Sequence, residues 1–226
     1  MFPTEQNVYR HWGFPVAVDS HDNVYAVERR EVRDKNGNTK YDFELYTFDE
    51  NYNIKNVCVL DFLHAGVWPF VNIAVDKNQN LIMLTNWNNQ VYVCDNTGKL
   101  KFQFQRDGRW WQGLSISSNN DIMTVSDDRS AIHTYSTDGD FKSTIKVPDG
   151  HKAYEVALHP GICKIIVLTY VEKEYSLFLL SYSETGELEN SAFFCKANET
   201  MDFEKHMHSH PAGPFVVRWG NMMTFI

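Results

Sequence analysis

The sequence repeats one short phrase four times and ends on a partial fifth copy. Each copy has an apolar–small–apolar run, a polar turn and a second apolar run. The second copy reads Ile73-Ala74-Val75-Asp76, a turn, and then Asn80-Leu81-Ile82-Met83-Leu84. The full copies begin at Val16, Ile73, Leu114 and Val156, and the partial one at Val216. A phrase that recurs roughly every 40 residues is typical of a repeat architecture in which each copy builds the same small unit.

Each phrase has the composition of two strands joined by a tight turn. Asn and Asp fill the turns, as in Lys77-Asn78-Gln79-Asn80, because they tolerate left-handed backbone angles. A second hairpin follows, with Gly98, Gly139 and Gly186 at turn positions that need a positive φ. No segment shows sustained helical periodicity. We therefore expect an all-β fold, a β-propeller with four four-stranded blades and a partial fifth, incomplete or closed by a partner relative to six blades.

The spacing of the copies indicates a single domain over residues 1–226. We expect blades at about 8–62, 68–105, 110–148 and 153–196, with the partial blade at about 211–226. Residues 28–41 are expected to extend a loop between two strands of the first blade. Residues 197–210 are expected to form an insertion before the last copy. Such insertions tend to project from one face of a propeller, often the binding face.

The amino-acid composition indicates the compartment in which the protein is found. With 226 residues, 43% of them hydrophobic, the chain can bury a sizeable core. No apolar stretch approaches the length of a transmembrane helix, and residues 1–6 have neither a basic region nor an apolar run of a secretion signal. The four cysteines form no C-x-x-C pair, which favours free thiols in a reducing compartment. We expect a cytoplasmic protein without a cofactor.

The repeated phrase resembles the NHL repeat, and residues 73–104 match it best. The third and fourth copies keep the pattern but have Ser117 and His159 in place of Asp. The whole chain is similar to the C-terminal propeller of TRIM-NHL proteins, a family of RING-type ubiquitin ligases. That resemblance implies a substrate-recruiting propeller. Because the RING, B-box and coiled-coil segments of that family are absent from this sequence, it implies a role in ubiquitination only if a RING lies upstream.

Aromatic and basic residues collect in loops that should share one face of the propeller. They are Trp12, Arg29, Arg30, Trp68, Trp87, Arg109, Trp110, Trp111 and Lys152. Trp and Arg are favoured at protein–protein hot spots, and aromatic residues beside cations also stack single-stranded bases. Tryptophans recurring once per copy would equally fill the gaps between blades. A net charge of −8 weighs against binding phosphates.

We therefore expect a non-catalytic interaction module that binds a protein partner through this face. Single-stranded RNA is the alternative partner, whereas a membrane or DNA is not expected. A metal-dependent lactonase or esterase of propeller type is the third hypothesis.

The motifs in the sequence give no reason to expect catalytic residues. Asp19 and Asp76 lie where a strand meets its turn, so we interpret them as acceptors for the turn's backbone N–H groups. His206, His208 and His210 have the spacing of one strand face and are weak metal-ligand candidates. They lie in an insertion that we expect to be solvent-exposed. Nucleophile-elbow, zinc-protease and phosphate-loop motifs are missing from the sequence.

Overall fold

The structure is a computed structural model that describes residues 15–33, 39–63, 71–85, 88–107, 113–159, 161–196, 205–209, 215–219 and 222–225. Over these residues the chain forms 19 strands and a single turn of 3-10 helix at Glu172–Glu174. The expected all-β fold is confirmed. Over the same residues there is no helix long and apolar enough to cross a membrane.

The strands form five antiparallel sheets, each made of consecutive strands. Blade 1 contains β1 (Val16–Val18), β2 (Val24–Arg33), β3 (Thr39–Phe48) and β4 (Ile54–Val59). Blade 2 contains β5 (Val71–Val75), β6 (Leu81–Thr85), β7 (Gln90–Cys94) and β8 (Leu100–Gln105). Blade 3 contains β9 (Leu114–Ile116), β10 (Ile122–Val125), β11 (Ala131–Tyr135) and β12 (Phe141–Lys146). Blade 4 contains β13 (His151–His159), β14 (Lys164–Val171), β15 (Ser176–Tyr182) and β16 (Leu188–Lys196). Blade 5 contains β17 (Lys205–Ser209), β18 (Phe215–Trp219) and β19 (Met222–Phe225).

The blades follow one another around a common axis. The first strand of each blade lies beside the first strand of the next, in the order β1, β5, β9, β13 and β17. These are the inner strands, and the fourth strand of each complete blade lies at its outer edge. This is the blade arrangement of a β-propeller, with four four-stranded blades as the repeats predicted.

Three local expectations need correction. Residues 28–33 pair with residues 39–44 in the β2–β3 hairpin, so most of the expected loop extension is strand. Residues 205–209, expected to belong to an insertion, form β17 and run beside β13. The phrase that begins at Val216 therefore supplies the second and third strands of blade 5, not its inner strand.

Side chains between neighbouring blades form the hydrophobic cores. One core joins Tyr25 and Leu45 of blade 1 to Leu81, Met83 and Tyr92 of blade 2. Separate cores join blade 2 to blade 3 and blade 3 to blade 4. The second strand of a blade is covered on both faces, which explains why its sequence is a continuous apolar run rather than an alternating one. All five residues of β6 are buried in this way.

The turn glycines have the backbone conformation that the sequence predicted. Gly98, Gly139 and Gly186 have φ values of +89°, +91° and +86°. Gly139 also lies against the ring of Phe104 in the preceding blade, where an added Cβ would meet the ring Cγ at 2.6 Å. The residue at this turn therefore has two independent reasons to be glycine.

Candidate functional site

A cavity of about 360 Å³ lies between the four inner strands. Its wall is formed by residues 16–20 of blade 1, residues 72–77 and Gln79 of blade 2, residues 114–117 of blade 3, and Ala157 and Leu158 of blade 4. A volume of this size is in the range of small-molecule sites, and the middle of a propeller is concave by construction. A second cavity, of about 70 Å³, lies between blades 3 and 4 and is lined by residues such as Ser117, Thr134 and Ile165.

One end of the cavity is formed by the turns that follow the inner strands. Neighbouring turns are linked, since Gln79 Nε2 donates to Ser20 Oγ at 3.4 Å and the Lys77 backbone N–H donates to Asn120 Oδ1 at 2.7 Å. The Lys77 ammonium also donates to the carbonyl of Ser118. These bonds connect blades 1, 2 and 3 at this end.

The aspartates of the repeated phrase hold these turns, as the sequence indicated. Asp19 Oδ1 accepts the backbone N–H groups of His21 at 2.8 Å and Asn23 at 3.0 Å. Asp76 Oδ1 likewise accepts the N–H groups of Asn78 at 2.8 Å and Asn80 at 2.7 Å. Although burial alone would raise the pKa of Asp19, its hydrogen bonds outweigh that effect and hold the pKa below its ordinary value. Both carboxylates serve the turns.

Backbone N–H groups of the inner strands are capped by polar side chains. The N–H of Ile73 is capped by Asn72 Oδ1 at 2.9 Å, and that of Leu158 by Ser115 Oγ at 3.1 Å. The N–H groups of Leu114 and Val156 hydrogen-bond the carboxyl group of Glu155. Ser115 and Glu155 therefore link the inner strands β9 and β13. Each of these strands is the edge strand of its sheet, so the backbone groups on its free edge have no neighbouring strand to pair with.

Glu155 is the most unusual ionisable group in this part of the molecule. It lies next to a bulge in β13 and its exposed fraction is only 6%. Burial raises the pKa of its carboxyl group to about 8, although the two backbone hydrogen bonds act in the opposite direction. A carboxyl group with this pKa is mostly protonated at neutral pH and can both give and take a proton there.

The segment before Glu155 carries further polar and aromatic groups. The guanidinium of Arg129 lies over the ring of Tyr154, 4.7 Å from its centroid. Lys152 Nζ is 2.7 Å from Glu172 Oε2. His151 Nδ1 is 2.8 Å from Thr169 Oγ1, and burial lowers the pKa of this imidazole. The first half of β13 thus concentrates acidic, basic and aromatic side chains near Glu155, although none of them lines the cavity.

Three of the nine residues expected on the binding face belong to the described part of the chain. Arg29 lies on β2 with its guanidinium 5.0 Å from the centroid of the Tyr41 ring. Arg30, also on β2, forms an ion pair with Glu44 at 2.8 Å. Lys152 lies within β13, although the sequence suggested a loop. The structure places the two arginines on blade 1 and Lys152 on blade 4, which are separated by blades 2 and 3.

Most of the remaining expected residues lie outside the described part of the chain. These are Trp12, Trp68, Trp87, Arg109, Trp110, Trp111 and His210. His206 and His208 occupy alternate positions of β17. A search of the described residues finds no group of three His, Cys, Asp or Glu side chains arranged to hold a metal ion.

Sequence reasoning missed Glu155. Its signal is a charged residue inside an otherwise apolar inner strand, Tyr154-Glu155-Val156-Ala157-Leu158. The other copies have Pro15, Asn72 and Gly113 immediately before the phrase, where the fourth copy has Glu155. A carboxylate at a position that should be buried indicates a shifted pKa, because burying a charge is energetically costly.

No family model matches the sequence, and no curated protein matches it. Solved structures do match the fold. Virginiamycin B lyase from Staphylococcus aureus aligns with a TM-score of 0.55 at 10% identity, covering 94% of this chain and 83% of that one. A streptogramin B lyase aligns at 0.54 and 14% identity, covering 92% and 71%. Hydrazine synthase from Kuenenia stuttgartiensis aligns at 0.60 and 12% identity, covering 99% and 65%.

Similarity at such low identity establishes the propeller fold and no particular activity. It does correct one expectation. We expected a non-catalytic module that recruits a protein partner, but several of the similar structures are named as enzymes, namely lyases, a synthase and a luciferin-regenerating enzyme, beside one named as an auxiliary nutrient binding protein. Their names contradict the interpretation as a protein-interaction module. That interpretation rested on the resemblance to TRIM-NHL propellers and on the aromatic and basic loop residues. TRIM-NHL proteins are not among these structures.

Proposed function

We propose that this chain is the propeller of an enzyme that binds a small polar molecule in the central cavity and uses Glu155 for proton transfer. The observation that carries the proposal is the buried carboxyl group of Glu155, placed between the inner strands β9 and β13. Leu114, whose N–H hydrogen-bonds this carboxyl group, lines the cavity, and so does Ala157 on the same strand as Glu155. The carboxyl group of Glu155 thus lies one hydrogen bond behind the cavity wall, although Glu155 itself does not line the cavity.

The size of the cavity restricts the substrate. A site of 360 Å³ is near the lower end of the range for small-molecule pockets. Its wall combines apolar side chains such as Val75 with polar ones such as Asn72 and Ser115. This composition suits a small molecule with both an apolar part and several hydrogen-bonding groups. The enzyme names of the similar structures support small-molecule chemistry on this fold by analogy alone.

Two further proposals concern the type of repeat and the compartment. The match of residues 73–104 to the NHL phrase supports an NHL-type propeller. None of the four cysteines forms a disulfide, and Cys94 is buried. Free thiols support a reducing compartment, for which we propose the cytoplasm.

The test combines binding and turnover. A panel of small polar compounds would be screened by thermal shift and by mass spectrometry of the products, with wild type, Glu155→Gln and Glu172→Gln. Glu172 is the matched control because it is an exposed carboxylate of the same blade, paired with Lys152. We expect a compound that binds wild type and Glu155→Gln but is turned over only by wild type and Glu172→Gln. Equal turnover by Glu155→Gln would refute the role of this residue, and a panel without any binder would refute the cavity as a site.

A further inference from the structure

The free edges of the inner strands turn backbone groups toward the central cavity. In an antiparallel strand the N–H and C=O of one residue point to the same side, and this side alternates from residue to residue. In blade 2 the N–H of Asp76 donates to the carbonyl of Asn80 within the blade. Ile73 and Val75 therefore point to the other side, away from β6. The hydrogen bond from the N–H of Ile73 to Asn72 Oδ1 agrees with this direction.

The other inner strands follow the same rule. Asp19 and Ser117 occupy the position of Asp76 in their blades and likewise donate their N–H groups within the blade. In β13 the N–H of Leu158 donates across the inner edge to Ser115 Oγ of β9. Among the residues that line the cavity, those with inward-pointing backbone groups are Val16, Val18, Ile73, Val75, Leu114, Ile116 and Leu158. We call these the inner-edge residues.

Hydrogen bonding along the inner-edge residues is one-sided. The N–H groups of Ile73, Leu114 and Leu158 are taken by side-chain oxygens of the inner strands. No group among the described residues donates to the carbonyl oxygens of the inner-edge residues. Along these residues the wall therefore offers seven carbonyl acceptors but only four uncapped N–H donors. The side-chain amides and hydroxyls of the wall bring donors and acceptors together, so they leave this surplus of acceptors in place.

The charged side chains of the wall act in the same direction. Along the described residues those that line the cavity are Asp19, Asp76 and Lys77. The two carboxylates accept N–H groups of their turns, and the ammonium of Lys77 donates to the carbonyl of Ser118. The wall thus carries one more negative than positive charge beside its surplus of carbonyl oxygens. A ligand that complements it brings donors and a positive charge.

We propose that the central cavity binds a small amine in its protonated form, with the ammonium group on the carbonyl oxygens of the inner-edge residues. This inference names the substrate class of the site and rests on the function proposed above. An ammonium group has three donors and no acceptor, which matches the wall, and its hydrogen bonds to carbonyl oxygens are charge-assisted. A carboxylate would leave these oxygens unpaired and would bring a like charge near Asp19 and Asp76.

Four cyclohexyl compounds test the preference, because they share one ring and differ in the polar group. They are cyclohexylamine, cyclohexyltrimethylammonium, cyclohexanecarboxylate and cyclohexanone. Isothermal titration calorimetry with the full chain at neutral pH would measure the Kd of each. We expect the amine to bind at least about tenfold more tightly than the carboxylate and the ketone. It should exceed the trimethylammonium compound by a similar factor, since that ion keeps the charge but has no N–H donor.

Lys77→Gln tests whether the amine lies in the cavity. Removing this positive charge from the wall should tighten amine binding about two- to fourfold and weaken carboxylate binding by a similar factor. The control is Lys101→Gln, which removes an equal charge from an exposed lysine of the same blade that does not line the cavity. That variant should change both Kd values by less than about 1.5-fold. Thermal unfolding checks that both variants are folded.

The outcomes separate this inference from the proposed function. A carboxylate, ketone or trimethylammonium compound that binds as tightly as the amine would overturn the inference but leave the function standing, because the cavity would still hold a small molecule. Equal tightening in both lysine variants would also overturn it, since the net charge of −8 would then attract the amine to the surface in general. If none of the four compounds binds at millimolar concentration, the inference is again overturned, and the turnover screen with Glu155→Gln decides separately on the proposed function.

Discussion

The contribution of Glu155 to the stability of this protein should fall as the pH rises above about 4.5. Burial raises the pKa of its carboxyl group from 4.5 to about 8, a difference of about 3.5 pH units. Between these two values the folded protein retains a proton that the unfolded chain has released. Each pH unit therefore costs about 1.4 kcal/mol of unfolding free energy, which gives on the order of 5 kcal/mol over the interval. The contribution is fully favourable below the lower pKa and is lost as the pH rises through the upper one.

Glu155→Gln should remove this dependence, because the amide is neutral at every pH and has nearly the same shape. The unfolding free energy of wild type and variant would be measured by urea denaturation at several values between about pH 5 and 8. Relative to wild type, the variant should gain about 1.4 kcal/mol per pH unit, or roughly 3 kcal/mol by neutral pH. A hydrogen bond lost on substitution would shift all values equally and leave the slope unchanged.

Glu172→Gln serves as the control for this slope. Its carboxylate is exposed, and the hydrogen bond from Lys152 lowers its pKa, so removing it should have a small effect of the opposite sign. If the difference between wild type and Glu155→Gln stays constant across the pH range, the carboxyl group is not buried in the way described here. Its proposed role in proton transfer would then lose its physical basis.

Two further predictions concern the turns. Gly139→Ala should destabilise the protein by about 2 kcal/mol or more, because alanine disfavours the positive φ and its Cβ would meet Phe104. Urea denaturation measures this change. The control is Gly161→Ala, which has no such close contact and should stay within about 0.5 kcal/mol of wild type. A Gly139→Ala variant as stable as Gly161→Ala would contradict the turn geometry. Asp76→Ala should cost about 2 kcal/mol through the lost acceptors of its turn, whereas Asp138→Ala at an exposed turn position should change little. Equal effects of the two aspartate substitutions would show that the turn bonds of Asp76 are not structural.

The repeats predict most of the fold because each strand pair carries its own signal. These signals are local: alternating or continuous apolar runs, Asn-rich turns, and a glycine such as Gly98 or Gly139 at a fixed turn position. Composition and spacing are therefore sufficient to find them. The β2–β3 hairpin was misjudged because its outer half is charged, and pairing of charged residues is a cross-strand property that one strand alone does not reveal. Strand β17 was missed for a related reason, since Lys205–Ser209 lacks the apolar phrase of the other inner strands.

The candidate site was harder to find from sequence. The sequence shows Glu155 as a charged residue in an apolar strand, but its contact with the N–H of Leu114 arises only because β9 lies beside β13. These two strands are about 40 residues apart in the chain, the repeat length itself, so no local pattern connects them. The interaction-module interpretation failed because aromatic and basic loop residues are compatible with several functions. The turn aspartates were interpreted correctly because the Asx turn is local.

The most direct test of the proposed function is a crystallographic soak of small polar fragments into this protein. We expect fragments to occupy the cavity between β1, β5, β9 and β13, with a polar group directed toward the Glu155 side of the wall. We also expect Glu155→Gln crystals to bind the same fragments, since the glutamine keeps the shape of the site. Fragments that bind only elsewhere, with the cavity empty at high concentration, would contradict the central claim that this cavity is the substrate site.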